Sequence, residues 1–158
     1  MDISKWQPRL LVTLRFLIGW HLLYEGVVKL LNPHWSAYAF LEGSAWILAG
    51  IAGWITSNPG VLSTVDFLNT WGLISIGLGL ILGLFTRTAA FAGAVLIGLY
   101  YLFNPPFIGI GATVPMEGNY LIVNKNLIEA VTLLLLGVSP AARSYGLDAL
   151  LTNRMNIR

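Results

Sequence analysis

"RLLVTLRFLIGWHLLYEGVVKLL" (residues 9–31) is long and apolar enough to cross a bilayer, yet it carries Arg15, His21, Glu25 and Lys29. At 100° per residue these four positions fall within an arc of about 120°, so the predicted helix presents one titratable stripe and gives Leu, Ile, Phe and Val to the lipid. Ionisable groups inside a membrane are costly and mark candidate functional sites. Asn32-Pro33 ends the run, because proline biases the preceding residue away from helix, and Pro8 suits a first helical position.

The rest of the chain is of the same kind. It is 158 residues long, 56% hydrophobic and only 10% charged, with a mean hydropathy of +0.74. Such a composition defines an all-α integral membrane protein, and the length suits one small bundle. No short apolar core with a small-residue cleavage site is in order at the start, so the first run reads as a retained helix. With no cysteine, the chain offers no disulfide, thiolate metal site or thiol redox chemistry of its own. The sequence pI near 9.1 comes from dispersed basic residues, which argues against nucleic acid and for membrane topology.

Three further spans are predicted: 67–85, capped by Asp66; 88–103, stopped by Asn104-Pro105-Pro106; and 120–138, ended by Ser139-Pro140. The tight connection between the second and third implies an antiparallel hairpin. Segment 33–66 contains an apolar stretch, 37–56, that is long enough for a fifth span. Charge bias decides against it: with four spans Lys5, Arg9, Arg87, Arg143, Arg154 and Arg158 share one side and Glu42, Asp66 and Glu117 the other. Residues 37–56 are therefore expected to form an outer interfacial or re-entrant helical segment, with Trp35, Trp46 and Trp54 at headgroup depth. Both termini are then cytoplasmic.

"GWHLLYEGVVKLLNPHW" (19–35), "GLILGLFTRTAAFAGA" (79–94), "NKNLIEAVTLLLL" (124–136) and "RSYGLDALL" (143–151) together resemble the DoxX family of small, mostly bacterial four-helix membrane proteins. The long segment after helix one is closest in layout to DoxD, the membrane subunit of a thiosulfate:quinone oxidoreductase. The resemblance implies one DoxX-like domain over 1–158, a bacterial-type inner membrane location, and, for the DoxD branch, a quinone and a redox partner.

Depth separates the stripe. At 1.5 Å per residue from Arg9, Arg15 lies about 9 Å in, His21 about 18 Å, Glu25 about 24 Å and Lys29 about 30 Å. Arg15 and Lys29 can reach the two surfaces, whereas His21 and Glu25 cannot. Helix four brings Lys125, Glu129 and Thr132 to one face. Counted inward from Ser139, Glu129 lies about 15 Å and Lys125 about 21 Å from the inner boundary, close to the depths of Arg15 and Glu25, which predicts Glu25 beside Lys125 and Arg15 beside Glu129, with His21 beside them and Lys29 nearer Glu42, Asp66 or Glu117. Two readings are open: ion pairs that set helix register, or an outward-opening cavity in which His21, Glu25 and Lys125 bind a quinone headgroup or relay protons. Outer loop 104–126 is either the mouth of such a site, with Asn119, Asn124 and Asn126 as amide donors, or a tight surface loop. Small-residue ladders, Ser75-Gly79-Gly83 and Ala90-Ala94-Gly98, are expected to pack the hairpin internally, with homo-oligomer contact the other use. His21 and His34 are the only histidines and lie at different depths, so neither haem nor a metal is expected. A scaffold for an extracytoplasmic partner, held through 33–66 and 104–124, is the rival function.

Overall fold

The computed structural model describes residues 3–107, 119–143 and 145–149. Six helices follow one another: α1 (Ile3–Leu31), α2 (Tyr38–Glu42), α3 (Ala49–Thr56), α4 (Pro59–Leu82), α5 (Thr86–Phe103) and α6 (Lys125–Val138). A two-stranded hairpin, β1 (Asn119–Tyr120) with β2 (Val123–Asn124), precedes α6, and a 3-10 turn over Pro140–Arg143 follows it. The long helices α1, α4, α5 and α6 make an all-α bundle, of which Trp6–Leu31, Pro59–Leu82 and Thr86–Phe103 are long and apolar enough to cross a membrane. We call the end holding the start of α1 and the α4–α5 turn inner, and the other outer.

Several boundaries differ from expectation. α1 starts before Pro8, which lies inside it and forgoes one backbone hydrogen bond there. α4 starts at Pro59 rather than Phe67, so Asp66 caps nothing; its Oδ1 accepts instead from the Ala37 N–H at 2.8 Å. The α4–α5 connection is only Gly83–Phe85, with Gly83 (φ 63) and Phe85 (φ 50) both left-handed. α6 starts at Lys125, not Tyr120, because the hairpin takes the preceding residues and the buried Asn124 side chain caps the helix by accepting from the Leu127 N–H at 3.0 Å. At 14 residues α6 is about 21 Å long, short of a hydrocarbon core of about 30 Å.

Residues 37–56 form no fifth span. α2 and α3 have five and eight residues, or about 8 and 12 Å. They fold over the outer end around Ala37, Leu41, Ala52 and Ile55, backed by Val61, Val65 and Phe103. Hydrogen bonds tie this roof down: Ser44 Oγ donates to the Phe103 carbonyl at 2.7 Å, and Asn104 Nδ2 to the Phe40 carbonyl at 2.9 Å.

The main core joins Leu22, Leu73, Leu80, Ala90, Leu133 and Leu136, all nearly inaccessible. α1 lies closely along α4, and α5 along α6; α4 meets α5 over a shorter length, and α1 touches α6 only lightly. Glycines explain the first pair. A Cβ on Gly77 would stand 2.5 Å from the Leu23 amide nitrogen and 2.7 Å from the Gly19 carbonyl, and one on Gly26 would meet Ile74 at 2.7 Å. The expected ladders contribute less: Ser75 is exposed, Gly98 has open space, and Gly83 serves the turn, while Gly79, Ala90 and Ala94 do pack inward.

Gly77→Ala is expected to destabilise the bundle by about 1–3 kcal/mol, because backbone cannot retreat as a flexible side chain can. Gly72→Ala, on the same helix with nothing within 4 Å of its would-be Cβ, should be neutral or gain up to about 1 kcal/mol. Denaturant unfolding in mild detergent measures both.

Candidate functional site

The stripe on α1 divides into an inner and an outer part. Arg15 is 4% exposed and reaches the inner end, where Nη1 donates to the Ala142 carbonyl at 2.8 Å. Its guanidinium lies against the α4–α5 turn: a Cβ on Gly83 would be 2.9 Å from both terminal nitrogens. Gly146 (φ 136) packs on the other side of the turn, its would-be Cβ 2.8 Å from Gly83 Cα. Two residues on, the Asp148 N–H donates to the Gly83 carbonyl, and its carboxylate accepts from the backbone N–H groups of Phe85 and Thr86, all at 2.8 Å. Phe85 cannot cap α5 with its own side chain, so Asp148 does so from a distance in sequence. "GLFTR" and "YGLD" thus meet over Arg15.

Burial opposes charge on Asp148, but the donors of Thr86 and Phe85 and the positive Arg15 overrule it, holding the carboxyl below the usual carboxylate range. Arg15 is not beside Glu129, where matching depth predicts it. Its partner is a backbone carbonyl at the inner surface, the outcome of reach.

Glu129 takes His21. Nδ1 of His21 lies 2.8 Å from Oε1 of Glu129, whose side chain is only 10% exposed. With the carboxylate ionised the ring N–H donates, which leaves the second ring nitrogen for other contacts. Glu25 does not pair with Lys125 either; its Oε2 accepts from Lys29 Nζ at 3.1 Å, one turn along α1. Lys29 also sits 5.4 Å over the Trp35 ring rather than near Glu42 or Asp66, and Glu117 lies outside the described residues. Lys125 makes no ion pair among the described residues.

What unites the outer residues is a cavity of about 320 Å³ between α1, α4, α5, the start of α6 and the roof. His21, Glu25, Lys29, Lys125 and Asn126 all line it. The amide of Asn124 does not, being used as a cap, and the Asn119 side chain lies outside the described residues. Sequence reasoning missed four contributors: Asn69 from α4, Tyr100 from α5, and Trp35 and Phe40 from the roof. Phe40 packs edge-on against Tyr100, with centroids 5.7 Å apart. Asn69 Oδ1 and Tyr100 Oη are buried and complete no hydrogen bond among the described residues. Asn69 stands beside Thr70 and Tyr100 beside Tyr101, so no spacing in the sequence singles them out until the helix faces are known.

A helical membrane bundle with a polar cavity beneath an outer roof is the class these features define. The chain matches the DoxX family model over residues 10–104, from the first turns of α1 to the end of α5, and it belongs to the DoxX family. No curated protein and no solved structure gives a match.

The inner cluster has a testable acid dependence. Because the folded pKa of Asp148 lies below its unfolded value of about 3.9, the stabilisation is full above that value and is lost as pH falls through the lower, folded one. Asp148→Asn is expected to cost about 1–2 kcal/mol at neutral pH and to flatten this acid limb. Denaturant unfolding in detergent at neutral and acid pH reads both effects.

Proposed function

We propose that this chain works as one DoxX-like membrane unit of the DoxD kind, whose outer cavity holds the headgroup of an isoprenoid quinone or a similar lipophilic carbonyl compound and serves a redox partner. The observation that carries this reading is the gathering of His21, Glu25 and Lys125 with Asn69 and Tyr100 on the wall of one cavity. Buried polar atoms in native proteins are almost always satisfied, and Asn69 Oδ1 and Tyr100 Oη, which neighbour each other, have hydrogen-bonding capacity to spare for a ligand.

The chemistry of the wall suits both ends of a quinone and quinol couple. Tyr100, Lys125 and Asn126 offer O–H and N–H donors to a carbonyl, while Asn69 Oδ1 and Glu25 offer acceptors to a hydroxyl. Bound there, a quinone would accept two electrons from the partner's donor and two protons. His21, Glu25 and Lys125 are the groups of this chain placed to hold or move protons at the ligand oxygens. The volume lies at the lower end of that usual for ligand sites, which suits one ring. Charge bias supports cytoplasmic termini, with Arg9, Arg87 and Arg143 toward the inner end and Glu42 and Asp66 toward the outer.

Solvent extraction of the detergent-purified protein should yield a stoichiometric quinone by mass spectrometry. Glu25→Gln and Lys125→Met should retain much less of it. Tyr100→Phe is the sharper case: the hydroxyl's one polar neighbour among the described residues is the Asn69 side chain, so its removal should cost no more than about 1.5 kcal/mol of stability, yet deplete the quinone. A quinone-free parent protein, with both charge variants folding and co-purifying with a partner as well as the parent does, favours the scaffold.

A further inference from the structure

The seam where α1 and α6 touch lightly is hollow. A groove of about 330 Å³ runs along it, walled by Leu14, Leu17 and Ile18 from α1 and by Ile128 and Thr132 from α6. These positions are spaced three and four apart on each helix, so each wall is one helix face. Leu17 and Ile128 are both 59% exposed, which in a membrane chain turns the groove toward lipid. The Thr132 hydroxyl is already used within its helix, donating to the Ile128 carbonyl at 2.7 Å. Polar groups gather only where the groove meets the outer cavity: His21 and Lys125 line both hollows, and Glu129, hydrogen-bonded to His21, stands on the groove side.

We infer that this groove receives the hydrocarbon tail of the molecule whose polar head occupies the outer cavity, so that the ligand is a single-headed amphiphile entering sideways from the bilayer. The inference rests on the cavity reading above and adds the tail, its path and its entrance. Two observations select this occupant over bulk lipid. The groove and the cavity adjoin, with His21 and Lys125 as shared walls, so a chain lying in the groove ends beside the cavity that Asn69 and Tyr100 line. The cavity, at about 320 Å³, takes a ring but leaves no room for a long chain, which must leave through a wall. The roof is tied by Ser44, Asn104 and Asp66, and the α1–α4 wall is shut by Gly19, Gly26 and Gly77. The α1–α6 seam is bridged by the His21–Glu129 bond.

Equilibrium dialysis of the purified full chain in mild detergent tests this with two probes: the ubiquinone ring without a tail, and its decyl-tailed form. The decyl form is expected to bind the parent at least about tenfold more tightly, as burial of several methylenes requires. Leu17→Trp and Ile128→Trp fill the groove from opposite walls and should each remove about tenfold of that advantage while leaving ring binding unchanged. Val131→Trp adds the same bulk on an exposed position of α6 outside the groove and should change neither. If both filled variants keep the full tail advantage, the groove inference is overturned and the cavity reading stands. If neither probe binds the parent, both fall.

Discussion

Glu129 and His21 face each other at 2.8 Å across the α1–α6 seam, and the architecture follows from the demand that a carboxylate among apolar helices find a donor. Glu129 is largely buried while the His21 side chain is 38% exposed, so loss of the bond strands mainly the carboxylate, whose unmet hydrogen bond costs about 1–3 kcal/mol, still more than an average interhelical polar contact contributes. The bond matters here because little else joins these two helices. Gly19, Gly26 and Gly77 draw α1 onto α4 at backbone contact, and Gly93 and Gly137 admit Leu133 and Phe91 between α5 and α6. Each pair is close-packed within itself, so the remaining seam is hollow, apolar along most of its length and polar where it meets the outer cavity.

The two ends of α1 treat polar groups in opposite ways. At the inner end, Arg15, Gly83, Gly146 and Asp148 interlock so that a helix start, a left-handed turn and a chain reversal supply one another's donors and acceptors. Such a network in a low-dielectric setting rigidifies. Buried polar atoms without a hydrogen bond occur at both ends, Arg15 Nε, Thr86 Oγ1 and Arg143 Nε at the inner one and Asn69 Oδ1 and Tyr100 Oη at the outer one. What sets the outer end apart is its cavity, which collects titratable and amide groups on one wall.

Much of this was legible in the sequence. Hydropathy and length locate α1, α4 and α5 but overstate α6, proline and asparagine end α1, and loop charge rejects a fifth span; the short helices α2 and α3 agree with that rejection. The grouping of His21, Glu25 and Lys125 on one cavity also follows from helical phase and depth. The partners did not. Depth pairs Glu129, about 15 Å from the inner boundary, with Arg15 at about 9 Å, a match too coarse to exclude His21 at about 18 Å, which the structure shows to be the partner. Local pairing within α1, Glu25 with Lys29, satisfies two more charges without crossing to another helix. Asn69 and Tyr100 carried no pattern of their own, since which member of Asn69-Thr70 or Tyr100-Tyr101 turns to the cavity is decided only when the facing helix is known.

The roof sharpens what kind of site this is. Asp66, in the position of a helix cap by sequence, tethers the roof's first turn instead, and α2 and α3 share a small core of their own with the start of α4. A segment with its own core and hydrogen bonds to the ends of two spans moves as a piece if it moves at all, and opening it would break several contacts together. The α1–α6 seam is closed by one side-chain bond and otherwise faces hydrocarbon. The boundary of the cavity that faces the membrane is thus a single side-chain bond rather than a packed layer, and on the reading proposed above a ligand that enters there is one that already resides in lipid.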